Sequence, residues 1–107
     1  MRGSAATRAR LTEDQWKQRV IDTAKCYGWL VQHTRPARTT QGWRTPIQGH
    51  AGFPDLVLCR KHQLLVVELK SDTGKLTREQ RTWLSELGPF GRLWRPADWS
   101  EVLEELR

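Results

Sequence analysis

The chain has 107 residues, 18 Lys and Arg against 12 Asp and Glu, a formal net charge of +6 and a sequence pI near 10.0. That length allows one small domain with a single core. No run of about 18 apolar residues exists, which excludes a helical membrane span, and no apolar signal region opens the chain, so a cytoplasmic protein is expected. The two cysteines, Cys26 and Cys59, are too few for a zinc site or a disulfide scaffold and are expected to be reduced and structural.

The basic charge is uneven. Between Asp22 and Asp55 there is no acidic residue, but Lys25, Arg35, Arg38 and Arg44 all fall there. A basic field of this kind suits nucleic acid, although ordinary solubilising charge gives the same pI.

In chain order, residues 1–11 are small, polar and basic and read as a disordered arm or a cloning remnant. Residues 12–107 read as one domain. Thr12-Glu13-Asp14-Gln15 fits a helix-opening capping box, with two acids favourable in the first turn. Trp16, Val20, Ala24 and Tyr27 recur at helical spacing as a core stripe, and Gly28 stops the helix. Trp29 to His33 reads as a strand. The stretch from Arg35 to Gly52 reads as a long loop, functional or mobile by its length, in which Arg35, Arg38 and Arg44 can meet phosphates. Trp43 in that loop either stacks on an unpaired base or folds back on the core.

Two apolar runs follow, Leu56 to Cys59 and Leu64 to Leu69, separated by Arg60-Lys61-His62-Gln63. They read as a β-hairpin. Lys-His is a poor two-residue turn, so a four-residue loop is expected. A loop symmetric about the Lys61–His62 bond sets Asp55 opposite Glu68, with Lys70 on the same face. Facing carboxylates repel unless a cation lies between them. Mg²⁺ suits one or two carboxylates completed by water and phosphate, and a neighbouring lysine can orient or deprotonate a water or neutralise phosphate charge. A surface salt bridge at a hairpin end is the plainer alternative.

Ser71 to Leu76 reads as a loop carrying Lys75. Thr77-Arg78-Glu79-Gln80 opens a second helix with another capping box, and Gln80, Trp83, Leu84 and Leu87 share its inward face. Gly88-Pro89-Phe90-Gly91 ends it. Arg92 to Arg95 is a short strand, and a last helix is capped by Asp98 and carries Trp99, Val102, Leu103 and Leu106. Both faces of the hairpin are apolar, Val57, Cys59, Leu64 and Val66 on one and Leu56, Leu58, Leu65 and Val67 on the other, so cover on both sides is expected. The order is α-β-β-β-α-β-α, an α/β fold with a mixed four-stranded sheet flanked by helices.

Pro54-Asp55, then Glu68-Leu69-Lys70, resembles the signature of the PD-(D/E)xK nuclease superfamily. The longer string from Gly52 to Val57, the Glu68-Leu69-Lys70 triplet and Gly74 to Leu84 resembles its VRR-NUC branch, the virus-type replication-repair nucleases. The likeness runs from about Thr12 to the C-terminus. It implies a restriction-endonuclease-like core and a Mg²⁺- or Mn²⁺-dependent nuclease. Asp55, Glu68 and the Leu69 carbonyl would hold metal, Lys70 would help activate water, and Gln80 would orient that water or Lys70. His33, near the sequence that feeds the active site in the family, would contact substrate, and Lys75 would be a phosphate contact from the loop after Lys70. The loop holding Arg35, Arg38 and Arg44 is longer than the family's, so those three stand as phosphate contacts by their charge and not by the resemblance. Where the superfamily's first helix often presents an acid, Gln15 stands here, a departure that leaves it either a water-holding or a merely capping residue. Stand-alone members of the branch resemble junction resolvases, which implies a homodimer cutting branched DNA. A non-catalytic DNA-binding module and a restriction-like duplex nuclease are the alternatives.

Overall fold

A computed structural model of the chain describes residues 11–33 and 49–107, together with the backbone of two short strands between them. The elements are α1 (Glu13–Cys26), β1 (Leu30–His33), β2 (Ala37–Thr39), β3 (Gly42–Arg44), β4 (Leu56–Arg60), β5 (Gln63–Leu69), α2 (Arg78–Leu87), β6 (Gly91–Trp94) and α3 (Trp99–Leu106). The main sheet has the order β1-β4-β5-β6, with β6 parallel to β5 and the other pairs antiparallel. It is the mixed four-stranded sheet flanked by helices that the sequence implies. The long loop differs from expectation, because β2 and β3 pair within it as a separate two-stranded ribbon, Ala37 opposite Arg44. Trp43 therefore lies in a strand rather than outside every element.

The α1 helix begins where Thr12 and Gln15 satisfy each other. Thr12 Oγ1 accepts from the Gln15 N–H at 3.1 Å, and the Gln15 side-chain oxygen accepts from the Thr12 N–H at 2.9 Å. Trp16, Val20, Ile21 and Ala24 are buried. Tyr27 is not part of that stripe: it follows the last helical turn and is 40% exposed, and Ile21 fills the core instead. Trp16 donates its indole N–H to the Trp94 carbonyl, and Trp29 donates to the Leu106 carbonyl, so both large core rings bury a satisfied polar atom. The last helix is not capped as expected. Asp98 accepts instead from the Arg95 N–H across a 3₁₀ turn, Pro96–Asp98, that precedes α3.

One face of the sheet, with Leu56, Leu58, Leu65, Val67 and Leu69, is buried against α1 and α3. The other face is only partly covered. There α2 closes over β5 and β6, where Val66 and Glu68 are buried, while Leu64 is 42% exposed and Leu30 74% exposed. Cover on both faces therefore holds at the Glu68 end of the hairpin and fails at its turn end. Both cysteines are free and exposed rather than packed into structure. Among the described residues, no helix is long and apolar enough to cross a membrane.

Pairing within the hairpin runs from Leu56–Val67 to Arg60–Gln63, the register symmetric about Lys61–His62. The connection is a two-residue turn, not the four-residue loop expected. Lys61 and His62 both have positive φ, 50° and 67°, which a right-twisted hairpin demands of a tight turn and non-glycine residues resist. The burial of β4 and β5 outweighs that local cost. Replacing the pair with Asn-Gly (K61N/H62G) is expected to stabilise the fold by about 1 kcal/mol through relief of this turn. Urea denaturation midpoints would check it, and a lower midpoint would contradict it.

Candidate active site

Asp55 lies one residue before β4, and Glu68 lies one residue before the end of β5. Because Leu56 pairs with Val67, the next residues outward are Asp55 and Glu68, on the sheet face that α2 covers. A second contact fixes Asp55: its Oδ2 accepts from the Leu69 N–H at 2.8 Å. Its other oxygen lies 3.5 Å from Lys17 Nζ on α1.

Glu68 is 2% exposed, the only buried charged side chain among the described residues. Gln80 donates to Glu68 Oε2 at 3.2 Å, and Lys70 Nζ lies 3.8 Å from the same oxygen. Gln80 is itself immobilised, since its Oε1 accepts from the Thr77 N–H at 2.9 Å in the α2 capping box. One side chain thus closes a helix end and holds a carboxylate. The approach of α2 depends on Gly52, whose φ is +91°. A Cβ there would lie 2.7 Å from the Glu79 backbone carbon and 2.9 Å from Gln80 N.

Burial pushes the Glu68 carboxyl up to about 8, and the Asp55 charge adds to the rise. Lys70 opposes it, while a hydrogen bond with Asp55 and the more distant Glu13 charge raise it further. A buried carboxyl that faces a second carboxylate holds its proton to higher pH than an exposed one, and a cation between the two would relieve the repulsion. Among the described residues, no three His, Cys, Asp or Glu side chains gather closely enough to ligate a metal by themselves. The donor set is two carboxylates, which fits a hard cation completed by water and substrate oxygen.

The structure does not bring Gln15 into this cluster. Its amide oxygen accepts from the Thr12 N–H in the cap, and it lies beside Leu11, Gln18 and Arg19 on an outer surface of α1. Glu13 is the α1 acid whose charge reaches Glu68. Sequence reasoning counted Glu13 only as a first-turn acid and missed Lys17 altogether. Position two residues before Gln15, in the same turn, was the available signal for Glu13.

Other candidates are more scattered. His33 ends β1, half-buried and paired with Leu56. Lys75 is exposed in the loop after Lys70. That loop is held from the β6 side, where Arg95 donates to the carbonyls of Ser71 and Gly74 at 2.6 Å each. Arg35 lies outside the described residues. Arg38 and Arg44 pair with Trp43 and Ala37 in the small ribbon, and the side chains of all four lie outside the described residues.

The Glu68 shift predicts a pH dependence for the metal-free protein. A carboxyl raised in the folded state stabilises the fold fully below its unfolded value of 4.5, and that contribution is lost as pH rises through about 8. Thermal midpoints in EDTA should fall over this window, and Glu68→Gln should flatten the fall. An unchanged slope in the variant would contradict this account of the carboxylate pair.

The model of the VRR-NUC domain family matches residues 36–93, more than half of the chain. The matched span holds Asp55, Glu68, Lys70, Lys75 and Gln80, whereas α1 lies before it. Neither the curated proteins nor the solved structures yield a match. The hairpin that gathers the two carboxylates is thus the part of the chain that the family shares, and the chain belongs to the VRR-NUC family of nuclease-type domains.

Proposed function

We propose that the chain is a Mg²⁺- or Mn²⁺-dependent endonuclease that hydrolyses phosphodiester bonds in DNA. The observation that carries this reading is the buried Glu68, set beside Asp55 and approached by both Lys70 and Gln80. Asp55, Glu68 and the Leu69 carbonyl would hold the metal. The metal, when bound, supplies polarisation of a phosphoryl oxygen and a lowered pKa for water.

The remaining work falls to the chain's own side chains. Lys70 holds an ammonium beside Glu68, where it can orient the attacking water or balance charge on the phosphate. Gln80 keeps Glu68 in place through an amide that is anchored at its other end. Glu13 adds a carboxylate at longer range, in the role first given to Gln15. Hydrolysis forms a bond from water oxygen to phosphorus and breaks one P–O ester bond, leaving the proton of the departing oxygen to be supplied from water. Lys75 and His33, with Arg35, Arg38 and Arg44 from the basic segment, are the proposed backbone contacts.

Branched DNA is the proposed substrate and a homodimer the proposed assembly. Both rest on the resemblance to stand-alone junction-cutting members, since a two-fold junction is cut symmetrically by two sites.

Cleavage of a four-way junction, single-stranded DNA and duplex DNA, with Mg²⁺ or Mn²⁺, would test the reading. Lys70→Ala and Asp55→Ala should each lower the rate by about 10²-fold or more while DNA binding persists. Absence of cleavage by the wild type on every substrate would leave only a DNA-binding module. Sequence-dependent duplex fragments would favour a restriction-like cutter over a resolvase.

The two α1 residues separate in a second experiment. Glu13→Gln should slow cleavage, whereas Gln15→Ala should leave the rate near wild type and cost about 1 kcal/mol of stability through the lost cap. The opposite pattern would return the role to Gln15.

A further inference from the structure

Between α2 and the strap that leads to β4 lies a cavity of about 380 Å³, lined by none of Asp55, Glu68, Lys70 or Gln80. The nuclease reading leaves it without a role. Its wall includes Ala51 from the strap and Arg78, Glu79, Thr82, Trp83 and Glu86 from α2. The volume falls within the range of small-ligand pockets.

Trp83 is the informative wall. It is half-buried, yet it is held on two sides. Its indole N–H donates to the Ala51 carbonyl at 3.0 Å, and the Phe53 ring meets it edge-on, with centroids 4.9 Å apart at 88°. An aromatic ring immobilised in this way offers a preorganised surface to another flat group.

The charges lining the cavity narrow the choice of occupant. Glu79 and Glu86 share it with Arg78 and His50, so a free phosphate would meet two carboxylates as well as the two basic groups. A nucleobase has a π-face for Trp83 and ring-edge amino groups that a carboxylate can accept from. The location adds a third argument. Ala51 lies four residues before Asp55, and Glu79 immediately precedes Gln80, the Glu68 partner. Four residues span at most about 14 Å, so the cavity is within a few nucleotides of the carboxylates.

We propose that this cavity is a base subsite, which takes one unpaired nucleobase of the DNA strand entering the candidate active site and stacks it on Trp83. The subsite rests on the nuclease reading for its substrate and deepens it: the enzyme would prefer a strand with an unpaired nucleotide near the cut. Arg78, which also lines the cavity, would meet the flanking phosphate, while Thr82 and Glu86 would meet the base edge.

The test measures binding, so that it does not depend on cleavage. The probe is a single-stranded oligonucleotide carrying one 2-aminopurine, titrated with the full chain in Ca²⁺, its integrity checked on a gel. Wild type should quench the 2-aminopurine on binding. Trp83→Leu removes the stacking surface, and Thr82→Phe fills the cavity while leaving Trp83 and its Ala51 bond in place. Each should weaken binding of the single strand about tenfold and remove the quenching, the loss typical of a stacked base. Affinity for a fully paired duplex of equal length should change less than about twofold in Thr82→Phe, since a paired base cannot enter.

Unchanged affinity and quenching in Thr82→Phe would overturn the subsite, whatever Trp83→Leu does to folding. Equal losses for single strand and duplex would overturn it too. Normal quenching by a wild type that cuts no DNA in Mg²⁺ or Mn²⁺ would count against the nuclease reading and leave the subsite standing.

Discussion

Asp55, at the mouth of one strand, and Glu68, within its neighbour, lie on one face of a sheet, and Glu68 has almost no access to water. Like charges at that separation are unfavourable, and burial makes them more so. Every nearby element can be understood as a response. The Leu69 N–H and Lys17 take the two Asp55 oxygens, while the Gln80 amide and Lys70 approach one oxygen of Glu68. These contacts moderate the repulsion without abolishing it, and Glu68 stays well above the ordinary carboxylate range. The residual repulsion makes the arrangement costly for the fold, and under the proposed function a divalent cation would relieve it.

The architecture delivers these partners from three directions. The hairpin register supplies both carboxylates. The α2 helix is drawn down onto them by the bare backbone of Gly52, and its capping residue is the one that reaches Glu68. The α1 helix, anchored through Trp16 to the Trp94 carbonyl, carries Lys17 and Glu13 to the opposite side. Behind Lys70, Arg95 pins the following loop by two backbone carbonyls. The site is therefore mounted on regular elements and their immediate ends, where side-chain positions are best defined.

Much of this was legible in the chain itself. The alternation of Val and Leu with charged ends announced two strands, and the symmetry about Lys61–His62 announced their register. Gln80 was legible because helical spacing placed it in line with Trp83, Leu84 and Leu87. The turn was misjudged because local preference argues against positive φ at lysine and histidine, and the packing of two buried strands overrode it. Asp98 was misplaced for a related reason, since a preceding 3₁₀ turn claimed its side chain. Gln15 and Glu13 both sit in the first turn of α1, and the Thr12 cap holds the Gln15 side chain away from the carboxylates. Both residues are exposed, and only the docking of that helix brings the Glu13 charge to bear on Glu68.

The sequence by itself determined which residues share a face and which lie opposite one another, because strand and helix periodicities are properties of the local backbone. It thereby settled that Asp55, Glu68 and Lys70 meet. Their electrostatic state was left to the tertiary structure. The exclusion of water from Glu68, the arrival of Lys17 and Glu13 and the half-exposed, braced Trp83 all depend on how helices pack across the sheet. Dielectric surroundings and long-range neighbours are created by that packing, and no local pattern encodes them.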